Sequence, residues 1–316
     1  MTSITATTPI VVTPNVLTST MVGTLTADQA SLASIEQQVS TGNQLNVASD
    51  NPAAAANILQ LQGSLTRANQ YAANAQDGVG WLSLGNSTVN SVLSVLQSVK
   101  STVESVSGAT LTSDPATISS IAQQVKSALD QLTNLSNTQY EGGQPIFAGT
   151  GSATAAYDAN GNYLGNSVAP TRTVAPGTQV AIAVTGPQVF GSGTTGLLGT
   201  GAGGSAVGVL QQIVNDLNTG TSASIASVEG TDLTNLGNAL NTAETAAGVL
   251  GANEQSVQGF ATQATGSVSS LQQELGNVQD TNMAQALTSL QLQQAAYQSA
   301  LYATSQLSTD SLVKYL

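Results

Sequence analysis

Apolar residues in this chain keep step at alternating intervals of three and four for longer than a compact globular helix requires. From Ile58 the run continues through Leu61, Leu65, Ala68, Ala72, Ala75, Val79, Leu82, Asn86, Val89, Leu93, Leu96, Lys100 and Val103. Such spacing keeps side chains on one face of an α-helix and makes a seam for a second helix. At roughly 1.5 Å of rise per residue the run spans about 70 Å, so its partner must be equally long.

The partner comes from the other half of the chain. Leu233, Leu236, Leu240, Ala243, Ala247, Leu250, Glu254, Val257, Ala261, Ala264, Val268, Leu271, Leu275 and Val278 repeat the same step. A shorter helix follows "SDP": Asp114 suits the N-cap, Pro115 the first helical position, and Ile118, Ile121, Val125, Ala128, Leu132 and Leu135 carry its seam. "VGVLQQIVNDL" reads as another helix. Asp28, Lys100 and Glu254 place charge on seams, where they either fix register or turn to a polar neighbour.

Two stretches lose the helical phase. "STGNQLNVASDNP", bracketed by Gly42 and Pro52, is a joint near the amino end, and Asp280 to Asn282 is its counterpart near the carboxyl end. Between the long runs, residues 151–204 are rich in turn formers. Asn160-Gly161 predicts a tight hairpin there, and "TQVAIAVTGPQVF" one or two strands. The expected fold is therefore mainly α with a small β insert. Both chain halves form a long antiparallel coiled-coil-like rod from residues 50–150 and 205–282, the β-rich domain of residues 151–204 lies at the far end, and residues 1–49 and 283–316 form a terminal helical pair.

The terminal pair poses the sharpest question. Leu287 to Leu307 contains no charged residue, yet Leu287, Leu290, Gln294, Tyr297, Leu301 and Thr304 form a seam; Met21, Leu25, Asp28, Leu32, Ile35 and Val39 form another. The apolar burial that two such short helices can achieve falls well short of the conformational entropy of ordering them. The pair is thus expected to stay disordered until copies pack side by side. Met21, Leu25, Leu32, Ile35, Val39, Met283, Leu287, Leu290, Tyr297, Leu301 and Leu312 are the candidate assembly interface.

Composition narrows the function. Five Lys and Arg stand against 17 Asp and Glu, a formal charge of −12, which argues against nucleic acid as a partner. The chain has no Cys and no His. Thiolate nucleophiles, histidine-based triads and the usual zinc sites are excluded together. "MTSITATTPIVVTPNVL" has no basic residue ahead of its apolar patch and does not read as a general secretory signal, and no window reads as a membrane span. "GSGTTG", Gly191 to Gly196, matches a dinucleotide fingerprint with Asp216 twenty residues on, but further glycines stand where a phosphate-binding helix should open. "DANGN", Asp158 to Asn162, is explained better by a turn than by a calcium loop. No catalytic residue, cofactor or metal is expected, and the chain is not expected to be an enzyme.

Several segments carry a resemblance. "VSTGNQLNVASDNPAAAA", "GGQPIFAGT", "TAAGVLGANEQSVQ" and "NVQDTNMAQALTSLQLQQAAYQSALYATSQLSTDSLVKYL" together resemble the bacterial flagellin and hook-associated protein family. Pro52, the "IFAGT" segment and the final "SLVKYL" favour the branch that joins hook to filament over flagellin itself. Asn51 departs from the family pattern, which usually has Asp there, and Asn43 and Asn253 sit near common Lys or Arg positions. The resemblance implies a structural subunit of the extracellular flagellum, secreted by the flagellar type III export route. The partners it implies are hook-associated protein 1, flagellin, an export chaperone and further copies of the chain in a ring. A flagellin of the filament itself and a secreted coiled-coil adhesin are the alternatives.

Overall fold

The computed structural model describes residues 14–107 and 114–313. The fold is mainly helical with small antiparallel sheets. It divides into two compact units, one drawn from the chain ends as far as Thr66 and from Ser269 onward, the other spanning Arg67–Val268.

The central unit holds the hydrophobic core. Helix α2 (Pro52–Ser107) supplies Ala68, Ala75, Leu82, Val89, Leu96 and Val103, all buried and each seven residues from the last. Helix α7 (Leu233–Gln279) answers with Leu236, Leu240, Ala243, Leu250, Val257 and Ala261. Two glycines let the helices approach: a Cβ on Gly78 would stand 3.3 Å from Val257, and one on Gly85 3.5 Å from Leu250. Of the seam charges, Glu254 accepts a hydrogen bond from Asn86 across this contact, while Lys100 pairs with Glu104 at 3.9 Å one turn along an exposed face. The first satisfies a polar break in the seam; the second contributes little in water.

Helix α3 (Pro115–Ser136) begins as its sequence dictates. Asp114 accepts the N–H of Ala116 at 3.1 Å, and Pro115 fills the first turn, where no donor is needed. Its buried face, Ile118, Ile121, Val125, Leu129 and Leu132, packs on α5 (Val209–Thr219), which buries Leu210, Ile213, Val214 and Leu217. Between α3 and α5 lie two small hairpins, β1 (Gln139–Tyr140) with β2 (Gln144–Pro145) and β3 (Thr171–Ala175) with β4 (Thr178–Ala181). The second hairpin is tied to α2: Arg172 Nε donates to Asp77 at 2.7 Å, and Asn74 Nδ2 donates to the Thr173 carbonyl at 2.8 Å.

The turn expected at Asn160-Gly161 is present, as an isolated bridge between Tyr157 and Tyr163. Asp158 Oδ1 accepts the N–H groups of Asn160 and Asn162, both at 2.8 Å, so its carboxylate organises the turn rather than a cation. Gly161 has φ of 79°, and a Cβ there would fall 1.8 Å from the Leu198 carbonyl oxygen. Only glycine satisfies both conditions. The strand expected over "TGPQVF" is instead a short helix, α4 (Gly186–Phe190). Thr185 and Gln188 form a capping box and Pro187 occupies the first turn, local signals that outweigh the β-branched residues nearby. The glycines of "GSGTTG" make a 3-10 turn, Gly193–Thr195, and the next helix, α5, opens only at Val209. The dinucleotide geometry is therefore absent at that motif.

After α6 (Ser222–Ser227) the chain makes one π-helical turn, Val228–Asp232, before α7. Asp232 is 2% exposed and its Oδ2 has no hydrogen-bond partner. Burial, reinforced by Asp216 on α5, pushes its carboxyl up to about 6. A carboxyl that holds its proton more tightly when folded contributes stability that is full below about pH 4 and is lost as pH rises through 6. Asp232→Asn is therefore expected to stabilise the chain at pH 7.5 by up to about 3 kcal/mol. The advantage should vanish near pH 4, which denaturant midpoints of both proteins at the two pH values will check.

Candidate assembly interface

The terminal unit is built differently. Helix α1 (Pro14–Thr41) and helix α8 (Met283–Val313) pack along each other. Their meeting face is thin: within this unit Ala286, 7% exposed, is the sole buried apolar residue among those described. On α1 the half-buried residues are Met21, Leu25, Asp28, Leu32, Ile35 and Val39, the seam read from the sequence, together with Gln38. Asp28 accepts a hydrogen bond from Gln293 Nε2 at 3.1 Å, which gives the seam charge a polar partner and fixes the rotation of α8.

On α8 the inward stripe differs from the one expected. Ala286, Leu290, Gln293, Tyr297, Ala300 and Thr304 are buried or half-buried, whereas Met283, Leu287, Gln294 and Leu301 are exposed. Two overlapping stripes fit a three-four step on this helix. The structure selects the one carrying Ala286 and Ala300, whose small side chains let α1 come close. Leu290 and Tyr297 lie on the inward stripe; Met283, Leu287 and Leu301, at 41%, 45% and 45% exposure, do not. The side chain of Leu312 lies outside the described residues.

What remains outside is apolar. Leu292 and Tyr302, each 68% exposed, join Met283, Leu287 and Leu301 on α8, and Val16 and Val22 are exposed on α1. Single exposed apolar residues are ordinary, but several on a helix whose residues 287–307 carry no charge leave its outer faces poorly solvated. A seam marks one stripe per helix, and Leu292 lies off it. The lack of charge all round α8 was the available signal.

The two joints meet. Asn43 and Asp280 pair as an antiparallel bridge. Gln44 N–H donates to the Gln279 carbonyl at 2.7 Å, Thr281 N–H to the Gly42 carbonyl at 2.8 Å, and Gln279 Nε2 to Asn43 Oδ1 at 3.2 Å. Gly42, with φ of 73°, ends α1 by donating to the Gln38 carbonyl at 2.9 Å. Asn282 opens α8, its Oδ1 accepting the Gln285 N–H at 3.3 Å, and Asn51 opens α2 through the Ala54 N–H at 3.0 Å. Asn51 thus caps a helix with a neutral side chain.

Among the described residues no group of three or more acidic side chains could hold a metal, and no helix is long and apolar enough to cross a membrane.

Comparison with known proteins agrees with the resemblance. Residues 12–152 match the family model of the bacterial flagellin N-terminal helical region. Over 172 residues the chain is 30% identical to flagellar hook-associated protein 3 of Salmonella typhimurium, covering 54% of each chain. The chain thus spans about half the length of the curated relatives it matches. Among solved structures, FlgL of Xanthomonas campestris aligns over 68% of this chain and 99% of its own, with a TM-score of 0.58 at 17% identity. The flagellar junction protein FlgL of Legionella pneumophila aligns over 71% of this chain and all of its own, with a TM-score of 0.54 at 16% identity. These structures share the fold. What the chain shares with known proteins is thus a flagellin-type amino-terminal helical region and a sequence similarity to flagellar hook-associated protein 3.

Proposed function

We infer that the chain is a structural subunit of the bacterial flagellum that joins hook to filament. The observation that carries this reading is the terminal unit: two long helices with one buried apolar residue, Ala286, among those described, which present Met283, Leu287, Leu292, Leu301 and Tyr302 to solvent. A surface of this kind gains stability by covering its outer faces with neighbouring copies. The resemblance to hook-associated protein 3 supports the location.

In this reading residues 1–49 and 283–316 stay disordered until assembly, and the candidate interface residues Met21, Leu25, Leu32, Ile35, Val39, Met283, Leu287, Leu290, Tyr297, Leu301 and Leu312 become buried between subunits. Residues 50–150 and 205–282 serve as a coiled-coil-like rod, with residues 151–204 as a β-rich end. The subunit sits outside the cell between hook-associated protein 1 and flagellin, in a ring of its own copies, delivered with an export chaperone. It has no catalytic role.

Deleting the gene tests the reading. Hooks without filaments, with flagellin released into the medium, are the expected result; normal filaments and swimming would remove it. Seeding purified protein on hook ends separates it from the filament-forming alternative, since a junction subunit stops after a short layer and a flagellin elongates.

A further inference from the structure

We propose that the two joints close as a single clasp, and that closing it is the step from which the terminal helices fold. The inference deepens the assembly reading and rests on it for its biological setting, but its geometry is independent.

Asn43 and Asp280 face each other between two backbone hydrogen bonds, Gln44 N–H to Gln279 and Thr281 N–H to Gly42. This is a short piece of antiparallel ladder between segments far apart in sequence. The amino-side joint is braced by local hydrogen bonds, while Thr281 Oγ1 on the carboxyl side is buried without a hydrogen-bond partner. Gln38 Nε2 donates to the Gln44 carbonyl at 3.1 Å, Thr41 Oγ1 donates to Asn46 Oδ1 at 2.8 Å, and Asn43 N–H donates to Thr41 Oγ1 at 3.2 Å. The amino-side joint is therefore a folded turn, and its shape presents Asn43 to Asp280.

The capping pattern gives the clasp its direction. Gly42 terminates α1 and Asn282 initiates α8, so both helices have their fixed ends at the clasp. The tightest contact of the pair, Ala286, lies one turn into α8, and its N–H bonds the Asn282 carbonyl at 2.9 Å. Helix formation is limited by its first turn, and pairing by bringing two helices together. A closed clasp removes both barriers at one place: it holds the capped ends side by side and turns pairing into a local event at high effective concentration. Folding then runs outward from Ala286 and Val39 toward Asp28 and Gln293 and beyond. With the clasp open, the thin apolar seam has no point from which to start.

The test uses the full chain, which contains no cysteine of its own. Asn43 and Asp280 form the bridge type whose Cα atoms lie about 4.5 Å apart, within disulfide range. The variant carrying Asn43→Cys and Asp280→Cys is compared with itself, oxidised by glutathione disulfide and reduced, in dilute monomer by hydrogen exchange. Oxidation should raise amide protection across residues 14–41 and 283–313 at least tenfold and leave 67–268 unchanged. Gly42→Val, which cannot hold φ of 73° without strain, should lower protection in the same two segments of the otherwise unaltered chain. Failure of the two cysteines to join, or equal protection in the oxidised and reduced forms, overturns the proposal. The assembly reading is judged separately, by whether protection of the unmodified chain rises with protein concentration.

Discussion

Placing aspartate at both Leu287 and Leu301 should abolish assembly while leaving the central unit as stable as before. Both side chains are 45% exposed in the single chain, so the change costs the isolated molecule little. In an assembly that covers them, each carboxylate would be buried without a partner, at a cost of about 3 to 5 kcal/mol. That corresponds to a loss in association of roughly a hundredfold to several thousandfold per site, and the two sites lie too far apart along α8 to relieve one another. Sedimentation of seeded layers on hook ends measures the loss, and thermal unfolding of Arg67–Val268 supplies the control. Leu164→Asp, at an exposed apolar position in the central unit, should assemble normally. Equal assembly of the double variant and the parent would show that this face of α8 is not covered.

The second large effect lies in the core. Phe190 is 1% exposed and sits edge-on to Phe147, with ring centroids 5.4 Å apart, and 5.6 Å from Tyr157. Removing the ring empties a space walled by two other aromatics and by the backbone that joins Gly186 N–H to the Phe147 carbonyl at 2.8 Å. Phe190→Ala is expected to cost about 3 to 5 kcal/mol. The lone tryptophan, Trp81, is buried in the same unit and packs at a tilt against Tyr140, ring centroids 4.8 Å apart, so its fluorescence reports the unfolding directly. A loss below about 1 kcal/mol would mean that neighbouring side chains close the gap without penalty.

The long helices were legible because a seam repeated over many turns leaves little freedom: most buried residues of α2 and α7 follow it, and even Glu254 stays in register by bonding Asn86, although Trp81, Val92 and Val99 on α2 and Ala239 and Ala246 on α7 are buried beside it. The joints were legible as losses of phase. Their pairing was not, because Asn43 and Asp280 meet through backbone groups that every residue possesses. On α8 the spacing admitted two stripes, and the choice between them depends on how closely α1 approaches, a tertiary matter. The α4 helix shows the opposite case. Thr185, Pro187 and Gln188 announce a capped first turn, yet the neighbouring valines and isoleucine suggested strand. Three residues of capping chemistry decided the local structure there.

The sevenfold burial along α2, from Ala68 to Val103, bears on how such a chain can change length over generations. Adding or losing a single residue would turn everything beyond it by about 100° and carry every later core position out to water. Length changes that arrive seven residues at a time, matched in α7, restore the phase. Descendants of this chain are thus free to grow or shrink here in whole quanta, while the hairpin loops remain open to insertions of any size.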